Sequence, residues 1–268
     1  MHRVVLFALL ALLATTGCTG TVQRNARVPH PSVPLTSGQP LTSAAELSAG
    51  LGNLTDFIKP SVGDATQAVE VPGTEMRDEV RFRVGRDATV GLAYDEGFGS
   101  TSHKPDPTQA PIVRGNVRGY GALFGYAFPT STPGLVIAAR AELTVWSTPY
   151  VEYVTCGGCE KPRVYDGRAN PVSVGLGVTP SYRTGALTLF GGAYARNHPT
   201  TTRKSEGVLV FNDGDVRNGP LNVLVEAGAE LALTDWLSAL AVVHQDVVRD
   251  PVSYGPGVGL ALTARLGE

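Results

Sequence analysis

The connections between strand-like segments are the feature that most constrains the fold of this chain. Between residues 64 and 268 about ten such segments occur, and their connections alternate between very short turns and long polar loops. The short connections lie near residues 86–87, 129–134, 184 and 234–235, and the long loops span residues 95–113, 147–169 and 197–219. Successive connections of a closed antiparallel barrel emerge at opposite rims. The alternation therefore predicts a barrel with one short-turn rim and one long-loop rim.

The segments also separate apolar from polar residues with a period of two. In residues 221–233 one face is entirely apolar, and the other carries Asn222, Glu226, Gly228 and Glu230. Because unpaired carboxylates in lipid or in a dry core cost several kcal/mol, they require a polar lumen. The inward charges of all segments balance in sign, so we predict a lumen network of ion pairs among Arg81, Arg83, Arg140, Glu142, Glu226, Glu230 and Arg265.

The beginning of the chain predicts an export signal. A short charged start precedes an apolar run over residues 4–14, which is shorter than a spanning helix needs. The Gly17-Cys18 pair that follows resembles the lipobox of bacterial lipoproteins, although Thr15 stands where that family usually has Leu. The resemblance implies a signal peptide over residues 1–17, a lipidated Cys18 and, with Thr19 beside it, an outer-membrane destination. Ordinary cleavage near Cys18 is the alternative.

Residues 18–63 are rich in Pro, Ser, Thr and Gly, which is typical of a tether. Within this tether, Ser43 and Glu46 form a capping box. Four apolar residues follow at helical spacing and predict a short helix over residues 44–58: Leu47, Leu51, Leu54 and Ile58. We expect this helix to lie against the surface of the barrel or the membrane, with a plug inside the lumen as the alternative.

The barrel domain is predicted to span residues 64–268. Nine of its strands are clear from the alternating pattern, and residues 65–71 supply the further strand that an even-numbered barrel requires. With ten strands, both termini lie on the short-turn side, which faces the periplasm in such barrels. The chain then has its tether and its C-terminus on the same side of the membrane.

A charge-paired interior within an apolar outer belt resembles small Gram-negative outer-membrane β-barrels over residues 64–268. The resemblance implies an all-β, antiparallel up-and-down transmembrane barrel of about eight to ten strands, embedded in outer-membrane lipid. Aromatic residues that mark two interfaces are expected at both rims. Those toward the long-loop rim are Tyr94, Trp146, Tyr150, Tyr194 and Tyr254, and those near the short-turn rim are Tyr126, Phe128, Tyr182 and Trp236. The chain departs from the family by ending in Leu266-Gly267-Glu268 instead of an aromatic residue.

Two cysteines besides Cys18, namely Cys156 and Cys159, form a C-x-x-C pair in the loop over residues 147–169. No second C-x-x-C occurs, and the loop contains no His. We therefore favour a disulfide that closes the loop tip, with a redox pair or half of a metal site as alternatives. We expect neither a bound metal nor a cofactor.

The charge of the chain, 22 basic against 24 acidic residues, gives no reason to expect a nucleic-acid partner. We expect a non-enzymatic structural or interaction component of the cell envelope, whose loops over residues 95–113, 147–169 and 197–219 bind a partner, as in a larger envelope machine.

Two alternatives follow from particular residues. A narrow, porin-like channel is favoured by inward glycines that leave space in the lumen, namely Gly119, Gly121, Gly125, Gly175, Gly177 and Gly257. An outer-membrane protease or lipid A deacylase would use His244, which shares a strand face with Asp246 near the long-loop rim.

Overall fold

The structure is a computed structural model, and it describes residues 19–27, 29, 33–54, 61–62, 69–99, 101–103, 113–156, 163–199, 204–208, 218–247, 252–253 and 256–267. In these residues no helix is long and apolar enough to cross a membrane. The described strands, in chain order, are β1 (Thr19–Arg27), β2 (Ala45–Leu54), β3 (Ser61–Val62), β4 (Val69–Val71), β5 (Thr74–Arg83), β6 (Ala88–Phe98), β7 (Thr101–His103), β8 (Val117–Pro129), β9 (Leu135–Cys156), β10 (Arg163–Ala169), β11 (Val172–Thr184), β12 (Leu187–Pro199), β13 (Lys204–Val208), β14 (Asn218–Ala232), β15 (Leu237–Asp246), β16 (Val252–Ser253) and β17 (Gly257–Leu266).

Ten of these described strands form a closed antiparallel barrel in the order β2, β5, β6, β8, β9, β11, β12, β14, β15 and β17. The barrel closes because β17 pairs with β2, from Leu260 opposite Leu51 to Leu266 opposite Ala45. The prediction of an all-β, ten-stranded barrel is confirmed. Closure leaves the barrel without a free sheet edge, so the backbone of every barrel strand has a neighbour on both sides.

The two ends of the barrel differ as the sequence predicts. Its short-turn rim consists of residues 84–87, 130–134, 185–186 and 233–236, each joining two adjacent strands. Gly185 has a φ of 59°, the left-handed conformation that a two-residue hairpin turn requires. The connections at the opposite end, the long-loop rim, are longer. Strand β2 begins and β17 ends at the short-turn rim, since Ala45 and Leu266 are paired there.

The first barrel strand is β2, and the prediction of residues 65–71 as that strand is wrong. Residues 45–54 form this strand, so the helix predicted over residues 44–58 is wrong for them as well. Glu46 and Ser48 are buried on the lumen face, whereas Leu47 and Leu51 are exposed on the outer face. Leucines four residues apart share a face in a strand as well as in a helix, which is why their spacing alone did not distinguish the two. Residues 55–58 of the predicted helix lie outside the described residues.

The predicted strand over residues 65–71 is described only at Val69–Val71, because residues 65–68 lie outside the described residues. This short strand, β4, pairs with β1 and β7 and lies outside the barrel. The number of barrel strands was right, and the identity of the first one was wrong.

The outer face of the barrel is largely apolar, with Asp78 and the Glu96–Arg118 pair as charged exceptions, and aromatic residues mark its short-turn end. Tyr126, Phe128, Tyr182 and Trp236 are all exposed there, Trp236 to 59%. At the other end the expectation fails for two residues, because Trp146 and Tyr194 point into the lumen and are buried. The outer aromatic pair toward that end is Tyr94 with Tyr120, whose ring centroids lie 5.4 Å apart. Tyr150 is half-buried and lies in the part of β9 that pairs with β1, and Tyr254 lies outside the described residues.

The filled lumen as candidate functional site

The lumen contains part of the chain itself. Residues 33–41, which we call the lumen segment, follow β1 and run through the barrel from the long-loop end to the short-turn rim, where β2 begins. Val33 and Leu35 at its start are fully buried against apolar side chains of the wall, among them Phe190, Tyr194, Leu224, Leu240 and Val242. The predicted helix over residues 44–58 takes neither of the two positions considered for it, because residues 45–54 are a wall strand. The lumen instead holds residues 33–41 of the tether as an irregular chain, in which the Thr36 N–H donates to the Pro34 carbonyl oxygen at 3.0 Å.

The upper part of the lumen segment is bound by charged side chains of the wall. The backbone N–H of Leu35 donates to Glu79 Oε1 at 3.1 Å, and Arg140 Nη1 donates to the carbonyl oxygens of Thr36 and Pro34 at 3.4 and 3.5 Å. A chain outside a sheet needs other partners for its buried backbone groups. These side chains supply them.

The lower part of the segment is bound through its side chains. Thr36 accepts a hydrogen bond from Arg81, and the Ser37 hydroxyl donates to Glu230. Near the short-turn rim, Gln39 Nε2 donates to Ser181 Oγ at 2.8 Å. Charged residues on different sides of the barrel therefore bind one continuous piece of chain.

Arg77 is a fully buried charge of the lumen, and it is surrounded by carboxylates. Its Nε lies 2.6 Å from Glu79 Oε1, its Nη1 3.0 Å from Asp95 Oδ1 and its Nη2 2.9 Å from Glu142 Oε2. Tyr194 also donates to Glu142 Oε2 at 3.2 Å. Four strands thus meet across the lumen: β5, β6, β9 and β12.

The other predicted lumen residues form a second group closer to the short-turn rim. Arg140 pairs with Glu226, and Arg81 pairs with Glu46 at 3.0 Å. Arg265 bridges two carboxylates, 3.5 Å from Glu46 and 3.2 Å from Glu230. Arg83 lies at the rim itself, where it donates to the Thr42 carbonyl oxygen at 3.2 Å.

Sequence reasoning missed several charged residues of this lumen, among them Glu46, Arg77, Glu79 and Asp95. The sequence pattern places Asp95 in a long loop and Glu46 at a helix cap. The sequence did contain a signal for Arg77. Glu75, Arg77 and Glu79 continue, toward the N-terminus, the alternation with a period of two that Arg81 and Arg83 show.

Three of the six inward glycines receive aromatic rings from neighbouring strands. A Cβ added at Gly119 would lie 2.7 Å from the Trp146 ring, and one added at Gly175 would overlap the Tyr194 hydroxyl. Gly177 is likewise covered by Tyr194. These three glycines therefore accommodate bulky side chains, whereas Gly125 lines a cavity of about 50 Å³ between the lumen segment and the wall.

The two residues considered for catalysis, His244 and Asp246, point into the lumen from β15 and are buried. Asp246 Oδ2 accepts a hydrogen bond from Asn222 Nδ2 at 2.7 Å. His244 is opposite Glu226 in the pairing of β15 with β14, and Glu226 in turn binds Arg140 and Thr179. The geometry assigns these residues to the packed interior of the lumen.

The cysteine predictions are not tested by the geometry. Cys156 ends β9, whereas Cys159 and Cys18 lie outside the described residues. The disulfide and the lipidation stay predictions. Among the described residues no group of three or more His, Cys, Asp and Glu side chains is placed to hold a metal ion.

A small sheet extends from the long-loop rim. The last part of β9 continues beyond the barrel and pairs with β10 along one edge and with β1 along the other, for example through Tyr150 opposite Gly167 and Ala26. We call β1, β10, β13 and residues 148–156 the rim sheet. Arg27, at the end of β1, donates to the carbonyl oxygens of Gly115 and Val113 at 2.6 and 3.0 Å.

Comparison with known proteins finds similar architectures. The chain matches no protein-family model and no curated protein. Among solved structures it is similar to an outer-membrane channel from Pseudomonas putida F1, with 10% identity, a TM-score of 0.43, and 88% of this chain and 100% of that chain covered. It is also similar to LpxR from Salmonella typhimurium, with 9% identity, a TM-score of 0.39 and coverage of 82% and 100%. A third similar structure is the N-terminal β-barrel domain of Pseudomonas aeruginosa OprF, with 13% identity and a TM-score of 0.31. The match covers 84% of this chain and 99% of that chain. Similarities at this level do not extend to function.

Proposed function

We propose that this protein is an outer-membrane β-barrel lipoprotein whose closed barrel serves as an anchor and scaffold in the cell envelope, and whose rim sheet and long loops bind a partner. An apolar outer belt with exposed aromatic residues at its short-turn end supports a position in a lipid bilayer. The export signal, with its lipobox, supports the outer membrane as the destination.

The filled lumen is the observation that favours a scaffold over a channel. The lumen segment occupies the barrel from the level of Glu79 to the short-turn rim, and ion pairs around Arg77 join strands from different sides beside it. Ions would have to displace a hydrogen-bonded chain and separate buried charge pairs to pass. A pore of about ten strands has little room beyond its own side chains.

The rim sheet is the part of the molecule that suits an interaction role. Strand β9 has 22 residues, whereas a membrane-spanning strand needs about 9–11. The part of β9 beyond the barrel carries its partners away from the membrane. Val164 and Tyr165 of β10 are exposed there, and exposed aromatic and apolar residues are typical of binding surfaces.

Two measurements test this proposal in sequence. Fractionation of cells with a carbonate wash should leave the protein with the outer membrane, and the folded protein should migrate differently on a gel before and after boiling. The folded protein should then give no steady current steps in a planar lipid bilayer, with a boiled sample as the control for leak. Steady ion-selective steps would contradict the scaffold, and recovery as a soluble monomer without detergent would contradict the membrane barrel.

A further inference from the structure

The described chain begins and ends at opposite rims of the barrel. Strand β1 pairs with β9 beyond the long-loop rim, from Ala26 opposite Tyr150 to Gly20 opposite Cys156. The last strand ends at Leu266, which is paired with Ala45 at the short-turn rim. This arrangement differs from the expectation of two termini on one side, and the side of the membrane on which each lies stays a prediction.

From this arrangement we propose that the barrel carries its own N-terminal segment across the membrane, so that β1 lies on the same side as the long loops. Cys18 directly precedes β1 in the sequence. The inference rests on the proposed membrane barrel. With the short-turn rim in the periplasm, a lipid on Cys18 would enter the outer leaflet from the cell surface, and not the inner leaflet from the periplasm.

The length of the lumen segment fits a crossing of the membrane. Its nine residues, 33–41, would span at most about 30 Å if fully extended, which is the thickness of the hydrocarbon core of a bilayer. The tight turn between Pro34 and Thr36 and the positive φ of Gly38 shorten this span, so the residues before Val33 complete the crossing. Its contacts follow the order of the chain along the barrel axis. Leu35 contacts Glu79, Ser37 contacts Glu230, and Gln39 contacts Ser181 close to the short-turn rim.

The wall is complementary to this crossing. Four charged side chains of the wall form hydrogen bonds with the segment. Arg81 and Arg140 donate to it, and Glu79 and Glu230 accept from it. Removal of the segment would leave these buried groups short of partners, which is costly in a lumen of low dielectric constant. At the lower end, Gly38 has a φ of 77° and lies against Ala138 of the wall, a close approach that a side chain would prevent.

An epitope-accessibility experiment tests the crossing. The same short epitope is inserted in three full-length variants, after Thr19, between Gly157 and Gly158 in a long loop, and between Asp235 and Trp236 in a short turn. Antibody binding is measured on intact and on permeabilised cells. The epitope after Thr19 should behave as the one at 157 does, bound on intact cells, whereas the one at 235 should be bound only after permeabilisation.

The comparison between positions decides between the outcomes. If the epitope after Thr19 behaves as the one at 235 does, the crossing is refuted while the membrane barrel stands. If all three are bound equally on intact cells and the protein is recovered without detergent, the proposed membrane barrel fails first. Where an insertion abolishes the gel shift on boiling, the same positions are compared as Thr19→Cys, Gly157→Cys and Asp235→Cys, with Cys156 and Cys159 replaced by Ser, using a membrane-impermeant maleimide.

Discussion

Replacing Arg77 by Met should destabilise the barrel more than any other single change of a lumen charge. Arg77 is fully buried and lies within 3.0 Å of carboxylate oxygens of Glu79, Asp95 and Glu142. Methionine has a comparable length and leaves little cavity, so the main effect is the loss of the positive charge. Removing one partner of a buried ion pair costs about 3–5 kcal/mol, because the other partner is left buried and uncompensated. This corresponds to a loss of roughly two to three and a half powers of ten in the ratio of folded to unfolded protein.

The assay is urea unfolding in lipid vesicles, followed by the gel shift between folded and unfolded barrel. Arg118→Met is the matched control, because Arg118 is 50% exposed and pairs with Glu96 at 3.0 Å on the outer face. An exposed pair of this kind contributes about 0–1 kcal/mol. Adding Glu142→Gln to Arg77→Met should recover part of the stability, since it removes one of the uncompensated carboxylates. The reasoning is refuted if Arg77→Met is no less stable than Arg118→Met.

Two further predictions concern packing and orientation of side chains. Gly175→Ala should destabilise the barrel by about 1–3 kcal/mol in the same unfolding assay, because the added methyl group overlaps the Tyr194 hydroxyl. The control Gly85→Ala, with no atom within 4 Å of the added group, should change stability by less than about 0.5 kcal/mol. Equal effects of the two substitutions would contradict the packing described. In vesicles of brominated lipid, the fluorescence of the Trp146→Phe variant should be quenched, because the remaining Trp236 is 59% exposed on the outer face. The fluorescence of the Trp236→Phe variant should not be quenched, because the remaining Trp146 is 1% exposed within the lumen. The reverse result would contradict the faces given to the two rings.

The faces of the barrel strands could be predicted from sequence alone. A period of two assigns each side chain to one of two faces, and a carboxylate such as Glu226 or Glu230 indicates which face is the lumen. The same rule gives the outward positions of the apolar residues in β9, β11, β14 and β17. The structure has these residues on those faces.

The lumen segment could not be predicted in the same way. Its residues show neither a period of two nor one of 3.6, because a single extended chain inside a barrel is buried on all sides. The wall that surrounds it comes from strands far away in sequence, such as β5 and β14. Its prolines and serines are as typical of an exposed tether as of a buried chain that is bound by side chains.

The aromatic residues show a related limit. Trp146 and Tyr194 lie near the long-loop end of their strands, which is where an interfacial ring is expected on the outer face. Both belong to the inward parity of their strands and fill space beside glycines of neighbouring strands, Gly119 and Gly175. The position of a residue along its strand predicts its depth in the membrane. Only the alternation of side chains between the two faces predicts whether it points into the lumen or outward.

A designed disulfide between the N-terminal segment and the wall tests whether this segment fills the lumen. A Cβ added at Gly38 would lie 3.5 Å from Thr179 Cβ in the wall, within the range of Cβ separations found in disulfides. The added Cβ would also lie 2.8 Å from Ala138 Cβ, so Ala138 is replaced by Gly in both the test pair and the control pair to make room for it. The positive φ of Gly38 adds a further cost of about 1–2 kcal/mol, which leaves the folded state accessible. The pair Gly38→Cys and Thr179→Cys is introduced with Cys156 and Cys159 replaced by Ser, and Gly38→Cys with Gly85→Cys is the control.

If the segment lies in the lumen, the Gly38–Thr179 pair should form a disulfide in the folded protein without a catalyst, and the control pair should not. The crosslink closes a large loop, so the boiled protein should migrate faster on a non-reducing gel and return to its normal position after reduction. Absence of this crosslink in a variant that still shows the gel shift on boiling would contradict a lumen filled by its own N-terminal segment.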